Sequence, residues 1–147
     1  MSRDLALRAT VHCLTGCAIG ETLGLAIAEV RGLGATESTS LAVSIAFVFG
    51  YSFTVVPLLR AGTAARSAIG IALAADTVSI TVMELVDNAV ILLVPGAMEA
   101  GLLGPLFWGS LALGFAVAFV VTYPVNRWLI ARGRGHAVVH GRHGHPA

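Results

Sequence analysis

Lysine is absent from this chain of 147 residues; all nine of its strongly basic residues are arginines. Charge of either sign is scarce, at 12% of residues, where an average soluble domain carries roughly 25%. Cysteine is limited to Cys13 and Cys17, which rules out a disulfide framework. A bridge between those two is not expected either, because positions four apart on a regular helix sit near the upper limit of Cα separation for a disulfide. The net charge of +1 gives no global field that would make nucleic acid a partner. Also missing are a nucleophile–base constellation, a phosphate-cradling glycine loop ahead of a lysine, and room for a soluble active-site domain. The protein is therefore not expected to be an enzyme.

What the chain does have is apolar length. It is 56% hydrophobic with a mean hydropathy of +0.86, which places it in the membrane class. Four spans are expected, at about 9–28, 41–59, 67–94 and 106–130, each close to or above the ~20 residues needed to cross ~30 Å of hydrocarbon. Gly62, Gly96, Gly101 and Gly104, with Pro95 and Pro105, punctuate the connections. Pro124 is expected to kink the end of the last span. The fold expected is an all-α bundle of four transmembrane helices forming one membrane domain over 1–147, with a His-rich tail at 133–147.

Arginine distribution orients the bundle. Arg3, Arg8, Arg60, Arg66, Arg127, Arg132, Arg134 and Arg142 fall at one end and only Arg31 at the other. Both termini are thus expected in the cytoplasm, and the inner, cytoplasmic membrane is the expected location. Leu14-Thr15-Gly16-Cys17 matches a lipoprotein cleavage box. The apolar stretch between Arg8 and that box falls short of the about 7–15 residues of a signal-peptide core, so lipidation of Cys17 is not expected.

Against this background the acids and thiols stand out. Glu21, Asp76, Glu84 and Asp87, like Cys13 and Cys17, lie inside the expected spans. An ionised carboxylate at mid-bilayer costs roughly 2.5–3.5 kcal/mol on insertion scales. With no arginine in the middle of any span, the acids must be protonated, hydrated or cation-bound. Along the third span Asp76, Met83 and Asp87 share one helical line, with Met83 and Asp87 about 20° to either side of Asp76, and cover about 16 Å of rise. Glu84 and Asn88 widen that polar sector. A purely structural account would satisfy these acids with hydroxyls of neighbouring spans, such as Ser44, Ser52, Thr54 or Ser110.

The first span places Cys13, Cys17, Gly20 and Gly24 on one stripe, flanked by Glu21. Gly16, Gly20 and Gly24 repeat a small-xxx-small spacing that admits a second helix closely. In the plainer reading the cysteines are small hydrophobes in that contact. In the functional one, two thiols one turn apart, bracketed by His12 and Glu21, offer ligands that Cu(I) and Zn(II) prefer. His12 points about 100° away from Cys13, so a site on this helix alone would need unwinding. Counting from the span ends puts Cys17, Glu21 and Asp76 at similar depth. Beyond the last span, His136 and His140 are spaced to share one ion if helical, and a solvated tail is the alternative. Pro95-Gly96-Ala97-Met98-Glu99 offers a thioether and a carboxylate at the opposite rim, and Asn126, Arg127 and Trp128 read as an interfacial anchor.

With these residues in view, the sequence resembles a family of small bacterial membrane proteins known as domain of unknown function 4396. The resemblance rests on His12-Cys13-Leu14-Thr15-Gly16-Cys17 with Gly20-Glu21, on Phe47-Val48-Phe49-Gly50-Tyr51, and on Ala75-Asp76-Thr77-Val78-Ser79-Ile80. Met83-Glu84-Leu85-Val86-Asp87-Asn88, Pro95-Gly96-Ala97-Met98 and Pro124-Val125-Asn126-Arg127-Trp128-Leu129-Ile130 complete it. It implies a four-helix membrane protein and no particular reaction.

The residues themselves lead to a membrane protein that binds, and moves, a transition-metal cation, with copper or zinc favoured. The expected ligands are His12, Cys13, Cys17, Glu21, Asp76, Met83, Glu84, Asp87, His136 and His140. Two other readings stand beside it. One is a proton-coupled carrier of a small solute that uses the acids as a relay. The other is an accessory or assembly subunit that docks through the glycine stripe of the first span and the Gly70 region. The expected partners are the lipid bilayer and further copies of the chain, in a homo-oligomer.

Overall fold

A computed structural model describes residues 2–132 of the chain. Its four helices are α1 (Ser2–Arg31), α2 (Ala35–Arg60), α3 (Ala65–Leu93) and α4 (Pro105–Ala131). All four are long and apolar enough to cross a membrane. The helices overrun the apolar windows, most of all α1, which begins at Ser2 instead of near residue 9. Hydropathy marks where a chain is greasy, whereas backbone hydrogen bonding carries a helix on into its polar flanks. The chain also stays helical through Pro124 to Ala131. The expected His-rich tail, with His136 and His140, lies outside the described residues.

Connections set the order of packing. Gly32 and Gly62 adopt left-handed φ values of 64° and 86°, which spares them the Cβ clash that other residues would meet. At the first turn the Leu33 N–H donates to Ala28 O and the Gly32 N–H to Glu29 O; Thr63 and Gly62 repeat the pattern on Leu58 and Leu59. These paired bonds cap a helix and reverse the chain at once, leaving α1, α2 and α3 antiparallel in succession. The 94–104 connection is longer. It folds back over the end of the bundle, with Ala97 fully buried in a cluster with Ile91, Phe107 and Leu111. Pro105 then starts α4 where its missing N–H does no harm.

The bundle is a ring in which each helix packs on its two neighbours, and α1 and α3 also touch across the diagonal. Small residues make this possible. A Cβ on Gly20 would lie 2.5 Å from the Ala46 Cα, and one on Gly24 2.5 Å from the Ala42 Cα. The glycine stripe of α1 is therefore filled by α2, and a second protein cannot dock there. α2 buries Ala42, Ala46, Gly50 and Thr54 at every fourth position, and α4 does the same with Ser110, Gly114, Ala118, Thr122 and Asn126. Outward, the pattern of a soluble protein is inverted. Leu92, Leu93, Leu103, Leu85 and Val120 are exposed, while Glu21, Asp76, Glu84 and Asp87 are buried. Apolar outside and polar inside is the arrangement that hydrocarbon solvent demands.

Candidate functional site

Because α1 and α3 meet across the short diagonal, the chemistry they carry meets too. Cys17 is fully buried beside Cys13, and the Glu84 carboxyl lies close to the Cys17 thiol. Met83 joins both cysteines in one apolar cluster with Ile80, Ala46 and Ala118. Both cysteines are free thiols, as their spacing foretells. One turn further along α1, Glu21 faces Asp87 at hydrogen-bonding range. Neither Asp87 oxygen meets a donor, nor does Glu21 Oε2, nor either Glu84 oxygen. Two facing carboxyls tolerate such an approach only with a proton or a cation between them. Asp87 gains its position from Gly114 of α4, where any Cβ would collide with the carboxyl.

Asp76 belongs to a different level. It sits beside Thr54, whose hydroxyl is 3.4 Å from His12 Nε2. His12 also stacks edge-on against Phe53, with centroids 5.6 Å apart. So His12 turns toward α2, away from the thiols, as its helical angle requires. The depth inferred from span ends is corrected here, since Asp87 lies level with Glu21 and Asp76 lies about 16 Å lower on the same helix. The error comes from α1, whose true start precedes its apolar window by seven residues (9 − 2), while α3 at Ala65 precedes its own by two (67 − 65).

Of the four hydroxyls, Thr54 alone reaches an acid, hydrogen-bonding Asp76. Ser44, Ser52 and Ser110 each donate to the carbonyl four residues earlier on their own helix. The polar satisfaction that exists lies nearer the arginine-rich end. There Ser79 of α3 donates to Asn126 Oδ1, Asn126 Nδ2 donates to Thr10 Oγ1 at 3.0 Å, and Thr10 donates to Ala6 O at 2.7 Å. Asn126 is thus a buried cross-brace, not part of an interfacial anchor. Arg127 and Trp128 are exposed as expected, with the Arg132 guanidinium 4.5 Å above the Trp128 ring. The amide could have been found from its place in the small-residue line of α4.

At the arginine-poor end a cavity of about 210 Å³ opens between α1, α2, α3 and the 94–104 connection, with Glu21 at its inner end and Glu29 at its rim. Glu29 Oε2 accepts from the Leu102 N–H at 3.1 Å. Met98 lines this cavity and Glu99 is exposed. Glu29 escaped the sequence reading because a carboxylate at a helix end looks like ordinary solvated charge.

The donor types in the interior suit a cation, with carboxylates, thiols and one thioether and no arginine among the described residues that are buried. They are strung along the bundle axis, however. Among the described residues no three His, Cys, Asp or Glu side chains stand close enough together to hold a single metal ion. A metal would have to draw Cys13, Cys17 and Glu84 inward by rotamer changes.

Comparison with known proteins agrees with the resemblance noted above. No curated protein and no solved structure matches the chain. A family model described as "Domain of unknown function (DUF4396)" matches residues 4–135, and the chain belongs to that family.

Proposed function

We propose that this protein is a multi-pass protein of the cytoplasmic membrane, with both termini on the cytoplasmic side, that binds and moves a transition-metal cation through its interior without catalysing a reaction. The observation that carries this reading is the meeting of Glu84 with Cys17, itself beside Cys13, across the α1–α3 diagonal, with no arginine buried among the described residues. Thiolate and thioether donors from Cys13, Cys17 and Met83 suit copper, and the thiolate–carboxylate mixture suits zinc. Glu21 and Asp87 line the route on one side of this point, and Asp76 with His12 on the other. His136 and His140 would receive the ion at the cytoplasmic exit. Contacts of a homo-oligomer fall on outward faces such as those bearing Gly70 and Gly109, where a Cβ would meet nothing, because α2 covers the glycines of α1.

The test is metal content per chain, by mass spectrometry on detergent-purified protein. The pair Cys13→Ser, Cys17→Ser is expected to lower it by about tenfold or more. Unchanged content in that variant overturns the thiol site.

A second reading is favoured by the facing carboxyls of Glu21 and Asp87, a pair built to share a proton. On that reading the column relays protons for a small solute. Glu21→Gln then abolishes proton flux in liposomes while the double serine variant conducts normally, the reverse of what metal transport requires.

A further inference from the structure

We propose that the cavity at the arginine-poor end is a binding site for a partly hydrated divalent cation, held by the Glu21 carboxylate and the Asn88 side-chain oxygen. It would be an entry site separate from the thiols. This deepens the cation reading given above and rests on it for the direction of travel, though not for the binding itself.

Three observations converge on the site. The first is Glu21, only 1% exposed, whose Oε2 has no hydrogen-bond partner although it borders the cavity. A buried carboxylate beside a water-sized space, with one of its oxygens left without a donor, calls for a positive occupant. The second is the direction of the neighbouring hydrogen bonds. Asn88 Nδ2 donates to Glu84 O at 2.8 Å, and Ser38 Oγ donates to Leu33 O at 3.3 Å. With the Ser38 proton and one Asn88 amide proton turned to the backbone, Asn88 has its carbonyl oxygen to offer and Ser38 its lone pairs. The wall therefore presents acceptors, which attract cations and repel anions.

The third is size. A cavity of about 210 Å³ corresponds to roughly seven waters at ~30 Å³ each, enough for an ion that keeps most of its first shell. Oxygen donors and retained water suit a hard divalent ion more than Cu(I). Glu29, at the rim, adds a second negative charge while it anchors Leu102.

Two tryptophans supply a test within the protein. Trp108 donates to Leu102 O at 2.7 Å, beside the cavity. Trp128 lies twenty residues further along α4 (128 − 108), about 30 Å away. Co2+ quenches tryptophan fluorescence at short range, so each tryptophan can be read alone in Trp128→Phe or Trp108→Phe protein. Saturable quenching of Trp108 by Co2+ is expected, with little quenching of Trp128. Glu21→Gln is expected to raise the half-saturating concentration by about tenfold, and Asn88→Asp to lower it, since affinity follows the ligand charge count.

Equal quenching of both tryptophans, or unchanged saturation in Glu21→Gln and Asn88→Asp alike, overturns the proposal. Should Glu21→Gln fail to fold, the opposite sign expected for Asn88→Asp still decides. The double serine variant separates the two proposals. Quenching of Trp108 that survives it alongside a loss of bound metal supports both. Quenching that survives in a protein that never held metal at the thiols keeps the entry site and removes the transport reading.

Discussion

The interior of this bundle has two polar tiers built on opposite rules. In the tier of Ser79, Asn126 and Thr10 each side chain donates to an acceptor, and three helices are tied together. In the tier of Glu21, Glu84 and Asp87, Glu21 Oε2 and both oxygens of Glu84 and of Asp87 find no hydrogen-bond donor. The first is how a membrane protein uses polarity to hold its helices; the second provides no such bracing. Interhelical hydrogen bonds in membranes contribute about 0.6 kcal/mol on average, so the satisfied tier earns its place modestly. Buried acids without donors weaken the fold unless something positive joins them, and that is why we assign function to them.

The comparison can be broken most decisively at Asp87. Asp87→Asn keeps the shape and removes the charge, so cation flux into liposomes is expected to fall by about tenfold to a hundredfold. The detergent-solubilised protein should unfold at the same temperature as the parent or higher. A variant that unfolds earlier yet transports normally would reverse the roles of the two tiers.

Asn126→Leu makes the opposite cut. It leaves the Ser79 and Thr10 hydroxyls without their shared partner, and stability should drop by about 1–2 kcal/mol, read from denaturant unfolding in detergent. Flux per folded molecule should hold near the parental value.

The smallest effect is expected at Thr122, a fully buried residue on α4 whose hydroxyl has no partner. Replacing it in Thr122→Val removes an unsatisfied group, so stability should rise by less than about 1 kcal/mol. Thermal unfolding measured side by side with the parent checks the sign, and a clear loss would place Thr122 in the structural tier.

How much of this was readable beforehand depended on whether the information was local. Helical angle alone puts Asp76, Met83 and Asp87 on one face of α3, and all three are buried. The spacing of Gly16, Gly20 and Gly24 likewise announces a close helix contact, which α2 makes. Which level of α3 faces which level of α1 is not local. It follows from where each helix begins and how each turn closes, and the apolar windows misjudge the start of α1. The hydroxyls of Ser44, Ser52 and Ser110 looked available to the acids because their rotamers are invisible in a sequence; each turns to its own backbone. Asn126 was hidden by exposed neighbours, Arg127 and Trp128, that do behave as an anchor would. The candidate site is thus legible as a set of residues on single helices, and its pairing of Cys17 with Glu84 and Glu21 with Asp87 is not.

The chain keeps its slack in one place. Three residues (32–34) join α1 to α2 and four (61–64) join α2 to α3, each locked by a left-handed glycine, whereas eleven (94–104) lead into α4. Displacing α4 strains little backbone except that stretch, the same stretch that roofs the outer cavity. The helix carrying Gly114 and the mouth above Glu21 are therefore joined by a single stretch of chain.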